Sequence, residues 1–379
     1  MNQSPKRVLH VVRAMDNGGV ETWLMHVLRG ADRRRVRMDF LVHTSDPSAY
    51  DAEIRERESQ ILRCTVPLHS PGYAWRIREV LDKHGPFDAI HSHVHYFSGY
   101  LLGLSKLCGV PVRIAHSHSD TSVADRRTGW PRRGYLQLMR TWIWRHATNL
   151  LGASFPAGES LFGRNWIHDP RSKVLYCGVD FGQFPRGRAR AAARSAIRSA
   201  WKIAPHELVI GHVGRFAPPK NHEFLVQSAA RVMRRNPATR LLLVGDGPSK
   251  ASLVELAEEL GIAGQVIFAG VQQHVPHFLA AMDVFVFPSR YEGLGLALLE
   301  AQAAGLPCVV SDSVPEEAGV VPDLLHRVPL ARDCEEWAAV ILSAARGVKP
   351  AAAESLGALE RSEFQIGRSL EALYSVYAA

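Results

Sequence analysis

No apolar run in this chain approaches the ~20 residues that a membrane-spanning helix needs. The start, Met1 to Arg7, is polar and leads straight into the short run Val8–Val12. That run lacks the longer apolar core and the small-residue cleavage site of a secretory signal. Cysteine is scarce: Cys64, Cys108, Cys177, Cys308 and Cys334 are scattered, with no close pair. Such spacing argues against a disulfide framework and against a zinc motif, and fits a reducing compartment. A cytoplasmic protein is the expectation. There is also no G-x-G-x-x-G, which argues against a dinucleotide oxidoreductase.

What is present is enough for two cores. The chain has 379 residues, 46% apolar and 22% charged, the profile of a soluble globular protein of more than one domain. Residues 1–180 hold 25 Lys+Arg against 17 Asp+Glu, whereas residues 181–379 hold 20 of each. The whole excess of positive charge therefore lies in the first half. An anionic membrane surface, an anionic substrate and a merely solvated surface each account for it. Nucleic acid is disfavoured, because no recognised binding module accompanies the charge.

Short β-branched runs alternate with helix-length spacers. The first set is Val8–Val12, Met38–His43, Asp88–His93, Val112–Ala115, Asn149–Ala153 and Val174–Tyr176. The second is Leu208–Val213, Arg240–Val244, Gln265–Ala269, Val284–Phe287 and Cys308–Ser311. Runs apolar on both faces predict parallel sheets covered by helices, and two such sets predict two doubly wound domains. In open parallel sheets ligands bind at the C-terminal ends of the strands. The special residues of this sequence collect there.

The densest group runs from Phe287-Pro288-Ser289 through Glu292, Gly293, Leu294, Gly295 and Leu296 to Glu300. A strand passes through a glycine-containing turn into a helix that starts near Leu294–Leu296. Gly293 and Gly295 remove side chains where a ligand approaches the backbone, and free N–H groups at a helix start favour a pyrophosphate. Glu300 falls about a turn and a half into that helix. A carboxylate accepts from two vicinal hydroxyls, so Glu292 and Glu300 suit a sugar at each end of a diphosphate. The plain alternative is an ordinary loop and a helix-surface glutamate.

This pattern resembles the E-x7-E motif of retaining glycosyltransferases of the GT-B fold, family 4. The text behind it, Glu300-Ala301-Gln302-Ala303-Ala304-Gly305-Leu306-Pro307-Cys308-Val309-Val310-Ser311, resembles the branch that builds capsular and exopolysaccharides. The likeness covers nearly the whole chain and is densest over residues 208–312. It implies α/β architecture: two Rossmann-like domains facing across a cleft. The N-terminal acceptor domain would take residues 1–182, the donor domain 183–362, and the tail helix 363–379 would cross back to the first.

Other groups then gain roles. Gly214 opens a turn after Leu208–Val213, and Arg215 and Lys220 follow before a helix. A guanidinium fork and an ammonium both suit phosphate oxygens, and the resemblance implies that they hold the donor diphosphate. Surface cations on a loop are the alternative. The turn Asp16-Asn17-Gly18-Gly19-Val20-Glu21 allows close backbone approach, and by resemblance Gly18, Gly19 and Glu21 face the donor phosphate and the attacking hydroxyl. Asp246 and Gly247 resemble the family's turn beside the donor, and Val271 and Gln272 sit where members grip the base through the backbone.

Histidines recur at strand ends: His91 and His93, then His116 and His118. Satisfied core residues and a metal site are both open readings, although no acidic ligand has convincing spacing. By resemblance, one histidine contacts the donor sugar; His116 is the first choice and His118 the rival, with His93 nearby. The stretch Arg126–Tyr135, leading into Leu136–His146, combines arginine with tryptophan. It reads either as a helix packing Leu136, Met139 and Ile143 inward or as a surface for anionic lipid.

The implied activity is retaining transfer of a hexose-type sugar from a nucleoside-diphosphate sugar, UDP being the first choice, to a glycan acceptor. A polyprenyl-diphosphate-linked acceptor, and peripheral contact with the inner membrane face, fit the basic first half. No cofactor beyond the co-substrate is implied. No metal is implied either, since the Asp-x-Asp signature of the other main glycosyltransferase fold is missing. A nucleotide-sugar epimerase of the same architecture and a non-catalytic sugar-nucleotide-binding protein are the rivals.

Overall fold

The computed structural model describes residues 4–16, 18–68, 70–122, 125 and 128–378. It divides into two units, residues 1–178 with 366–379, and residues 179–365. In the first, strands β1 (Lys6–Val12), β2 (Val36–Val42), β3 (Ile61–Arg63), β4 (Ala89–Ser92), β5 (Val112–Ser117), β6 (Asn149–Gly152) and β7 (Ser172–Val174) form one sheet. Its order is β3-β2-β1-β4-β5-β6-β7, and every pair is parallel. In the second, β8 (Leu208–Val213), β9 (Thr239–Val244), β10 (Val266–Gly270), β11 (Val284–Phe287), β12 (Cys308–Ser311) and β13 (Leu325–Val328) follow the order β10-β9-β8-β11-β12-β13, again parallel.

The strand order reverses once in each sheet, between β1 and β4 and between β8 and β11. Such switch points open a crevice at the C-terminal strand ends. The central strands are almost continuously buried, which is why they read as unbroken apolar runs. β3 and β13 were not foreseen. In β3 only Leu62 is buried, and β13 carries His326 and Arg327, so neither leaves an apolar run to read. The expected strand at Val174–Tyr176 lies two residues earlier, at Ser172–Val174.

The alanine- and arginine-rich segment forms the helix Gly187–Ala200. Arg194 and Arg198 both reach Asp283, at 2.6 Å each, and the Val209 N–H donates to the same carboxylate at 2.8 Å. That carboxylate fixes the adjoining starts of β8 and β11.

The last helix, Ile366–Ala378, belongs to the first unit. Trp23 Nε1 donates to Ser369 Oγ at 3.1 Å, and Ser369 donates to the Tyr176 carbonyl at 3.1 Å. The Asp32 N–H donates to the Tyr374 hydroxyl at 2.7 Å, beneath the Arg35 guanidinium. Gly178 is required where the two segments cross, because a Cβ there would stand 2.7 Å from Ile366 Cα. Gly178→Val is therefore expected to destabilise the first unit by about 1–3 kcal/mol through forced overpacking. Denaturant unfolding checks this; wild-type stability would contradict it.

Candidate active site

The three loops leaving β8, β9 and β10 are bonded to one another. Gly214 N–H donates to the Val244 carbonyl at 3.0 Å, Phe216 N–H to Asp246 at 2.9 Å, and Gly245 N–H to Gly270 at 2.8 Å. Glycine is needed at 245, where φ is +137° and a Cβ would sit 2.1 Å from the Gly214 carbonyl oxygen. Arg215 projects outward, exposed, and its guanidinium has no partner among the described residues. Lys220 ends the 3-10 turn Pro218–Lys220, and Asn221, left-handed at φ 58°, starts the helix His222–Arg235.

The loop leaving β11 meets this group from the side. Arg290 N–H donates to the Pro219 carbonyl at 2.7 Å, and Ser311 Oγ holds the Ser289 carbonyl at 2.6 Å. Lys220 Nζ then reaches both carboxylate oxygens of Glu292, at 2.7 and 2.8 Å. Glu292 is only 8% exposed, and the ammonium also lies 5.2 Å over the Phe287 ring. Gly295, at φ +91°, caps the helix Leu296–Ala303 against that ring. Gly293 and Leu294 are buried in the same turn. The structure thus brings Arg215, Lys220, Glu292, Gly293, Leu294, Gly295 and Leu296 to the β8/β11 switch point.

Glu300 sits apart in character. Its carboxylate has no hydrogen bond among the described residues, and burial pushes it up to about 7. A carboxyl so placed takes up a proton more readily than an exposed one. Asp246 is exposed, held below the ordinary carboxylate range by the Gly247 N–H and by Lys250. Val271 is exposed, and the Gln272 amide turns back to the Ala269 carbonyl.

At the C-terminal end of β1, Gly18 precedes the helix Gly19–Gly30. Glu21 folds back so closely that a Cβ on Gly18 would meet its carboxylate, while a Cβ on Gly19 would meet nothing within 4 Å. Asn17 lies outside the described residues.

The histidines form one cluster, which also includes His10 of β1. His10 Nδ1 lies 3.1 Å from His93 Nε2, His93 Nδ1 2.8 Å from His118 Nε2, and His91 Nε2 3.1 Å from His116 Nδ1. Two triads, His10/His91/His93 and His93/His116/His118, have ring nitrogens within 4.8 Å of one another. A tetrahedral zinc with Zn–N near ~2.05 Å would spread its ligands to about 3.3 Å. The bonded separations are shorter and suit N–H···N bonds. His116 is fully buried, whereas His93 and His118, one residue past β4 and β5, are partly exposed. His10, Cys177 and Tyr377 were not foreseen; only the fold brings them to these rings.

Residues 17–183 match the family described as Glycosyltransferase Family 4, and residues 193–342 that described as Glycosyl transferases group 1. The Putative glycosyltransferase EpsF of Bacillus subtilis (strain 168) is 36% identical over 382 residues, covering 100% of this chain and 97% of that protein. The chain belongs to the family 4 glycosyltransferases.

The Vi polysaccharide biosynthesis protein VipC/TviE of Salmonella typhi is 43% identical to this transferase over 108 residues, 28% of this chain and 19% of that protein. In fold the transferase is similar to Anabaena Alr3699/HepE, solved with UDP and glucose. The TM-score is 0.79 at 18% identity, over 98% of this chain and 99% of that one. WaaG, a glycosyltransferase involved in lipopolysaccharide biosynthesis, gives a TM-score of 0.67 at 16% identity, over 98% and 97%. The fold is GT-B. The transferase resembles the capsular and exopolysaccharide branch.

Among the described residues, no helix of the transferase is long and apolar enough to cross a membrane. The helix Trp130–His146 buries Leu136, Met139 and Ile143. Arg140 is spent on the Leu161 and Ser160 carbonyls, and Trp144 Nε1 on Phe162. Trp130 (85% exposed) and Leu138 (50%) remain outward. Arg126 and Arg127 lie outside the described residues.

Burial pushes His10 and His118 down to about 3, and His91, His93 and His116 well below their ordinary value. Above pH ~6.5 these rings are neutral whether the chain is folded or not. As pH falls below that, the unfolded chain takes up protons that these rings refuse in the fold, so stability is lost on acidification. Each ring is expected to remove about 1 kcal/mol between pH 6.5 and 5.5. Denaturation at pH 7.5 and 5.5 checks this, and equal stabilities would contradict it.

Proposed function

We propose that the chain transfers a sugar from a nucleoside-diphosphate sugar, UDP being the nucleotide, to a lipid-linked or polysaccharide acceptor of a cell-surface glycan. The observation that carries this is the Lys220–Glu292 pair at the β8/β11 switch point, beside the exposed Arg215 and the helix that begins after Gly295. Two cations and a helix start converge where a diphosphate would lie, with carboxylates beside it for sugar hydroxyls. Likeness to a protein solved with UDP and glucose supports the nucleotide. Likeness to EpsF and to a Vi polysaccharide biosynthesis protein supports the acceptor class.

The reaction breaks the anomeric C1–O bond to the diphosphate and forms a C1–O bond to the acceptor on the same face, with retention. The acceptor proton passes to the leaving diphosphate. Arg215 and Lys220 stabilise the charge that develops there, without a metal, and positioning supplies the remainder. Glu300, raised toward neutrality and without a hydrogen-bond partner among the described residues, is suited to a ribose hydroxyl. At the first unit's strand edge His118 is the histidine for the donor sugar, since His116 is fully buried. Gly18, Gly19 and Glu21 line the same edge. The outward Trp130 and Leu138, on a helix rich in arginine, support peripheral contact with an anionic membrane from the cytoplasmic side.

A nucleotide-sugar panel with a membrane-extract acceptor tests the reading, and transfer of label is expected from a UDP-sugar. Donor interconversion without acceptor would contradict it. Arg215→Ala is expected to lose most turnover at unchanged stability; near-normal turnover removes it from the site. Lys220→Ala strands a buried carboxylate and is expected to cost about 3 kcal/mol as well as activity. Combining it with Glu292→Gln is expected to restore stability but not turnover. Recovery of both would make the pair purely structural.

A further inference from the structure

We propose that His212 is a positioning residue whose Nε2 accepts the Lys220 ammonium once a diphosphate draws that ammonium off Glu292. Such a role presupposes the reading above, in which Lys220 holds the donor diphosphate.

His212 lies near the end of β8, fully buried, with its ring stacked on Phe285 and Phe287 at 5.8 and 5.6 Å. Its Nδ1 lies 2.8 Å from the Val286 carbonyl oxygen. A carbonyl only accepts, so Nδ1 carries the N–H and the neutral ring keeps a bare lone pair at Nε2. Burial holds the ring neutral, pushing it down to about 4. That Nε2 has no hydrogen-bond partner among the described residues. Native folds leave few buried polar atoms unbonded, and this one stands at the β8/β11 switch point.

A cation to meet that lone pair is close by. A Cβ on Gly214 would stand 3.1 Å from His212 Nε2 and 3.8 Å from Lys220 Cε, so one small space adjoins both side chains. Glycine at 214 leaves that space open. The Lys220 ammonium has three N–H groups, and it meets Glu292 Oε1 and Oε2 at 2.7 and 2.8 Å. When phosphate oxygens take the place of Glu292, a turn of the lysine's end carries an N–H into the space beside Gly214, onto His212 Nε2. The exchange changes the local field. A carboxylate at hydrogen-bond distance cancels most of the ammonium's charge, whereas a neutral imidazole cancels none. The diphosphate then meets the whole positive charge, and Glu292 is free for the sugar. His222, edge-on to His212 at 4.6 Å, is also buried without a hydrogen bond. Adjoining residues aside, however, the atom nearest the space beside Gly214 is His212 Nε2.

Imidazole 15N spectra of the full chain, recorded without and with UDP, read this directly. The free protein is expected to show His212 as Nδ1–H with a bare Nε2; Nε2–H there would overturn the proposal. Saturating UDP is expected to move the Nε2 signal toward that of a hydrogen-bonded nitrogen. An unmoved Nε2 beside a displaced Lys220 Nζ signal overturns the proposal alone. If bound UDP moves neither signal, the reading of Lys220 falls with it. His212→Phe keeps the stacked ring and removes the acceptor. It is expected to weaken UDP binding and to lower kcat/KM, each by about 10-fold or more, as loss of a hydrogen bond to a charged group does. Unchanged values would make His212 purely structural and overturn the proposal. Gly214→Ala keeps the bond to Val286 and serves even if the first variant fails to fold. Under saturating UDP it is expected to abolish the Nε2 response, and a full response overturns the proposal. His222→Phe is expected to keep the response; its loss would move the acceptor to His222 and overturn the assignment.

Discussion

A lysine and a glutamate from different loops, drawn together in a place with little water, constrain the whole C-terminal strand edge of the second sheet. Lys220 cannot reach Glu292 unless the turn Pro218–Lys220 lies against the chain leaving β11, and the Arg290–Pro219 bond holds it there. Desolvating such a pair rarely yields net stability. A fold that keeps one at a topological switch point spends stability on placing charge. Under the proposed reading, a diphosphate competes with Glu292 for the ammonium and frees that carboxylate for the sugar.

The same economy governs the backbone around it. Gly245 and Gly295 take left-handed or otherwise rare conformations, and each lets a loop approach another more closely than a side chain would allow. The first unit solves a related problem differently. There the strand edge is lined by imidazoles that contact one another and a tail helix, which packs onto β1 and the helix Gly19–Gly30.

Much of this was legible in sequence because it is local. The central strands are apolar on both faces, and the glycine turn, Glu292 and Glu300 fall within one short segment. The edge strands β3 and β13 escaped because they are short and half-polar. The Lys220–Glu292 contact was not foreseen as a pair: the two residues are 72 positions apart, and each was read as facing ligand. Tyr377 could not be found at all, since its partner His91 lies 286 residues earlier and no pattern in the tail announces it. His116 was preferred to His118 on resemblance, and only burial separates them.

Sugar transfer as proposed requires a diphosphate held between the loops that leave β8 and β11. A crystal structure with a UDP-sugar examines that directly. The expected density has phosphate oxygens within about 3 Å of the Arg215 guanidinium and Lys220 Nζ, with the Lys220–Glu292 contact lengthened. A nucleotide bound elsewhere, with that ion pair still closed and Arg215 in solvent, would contradict it.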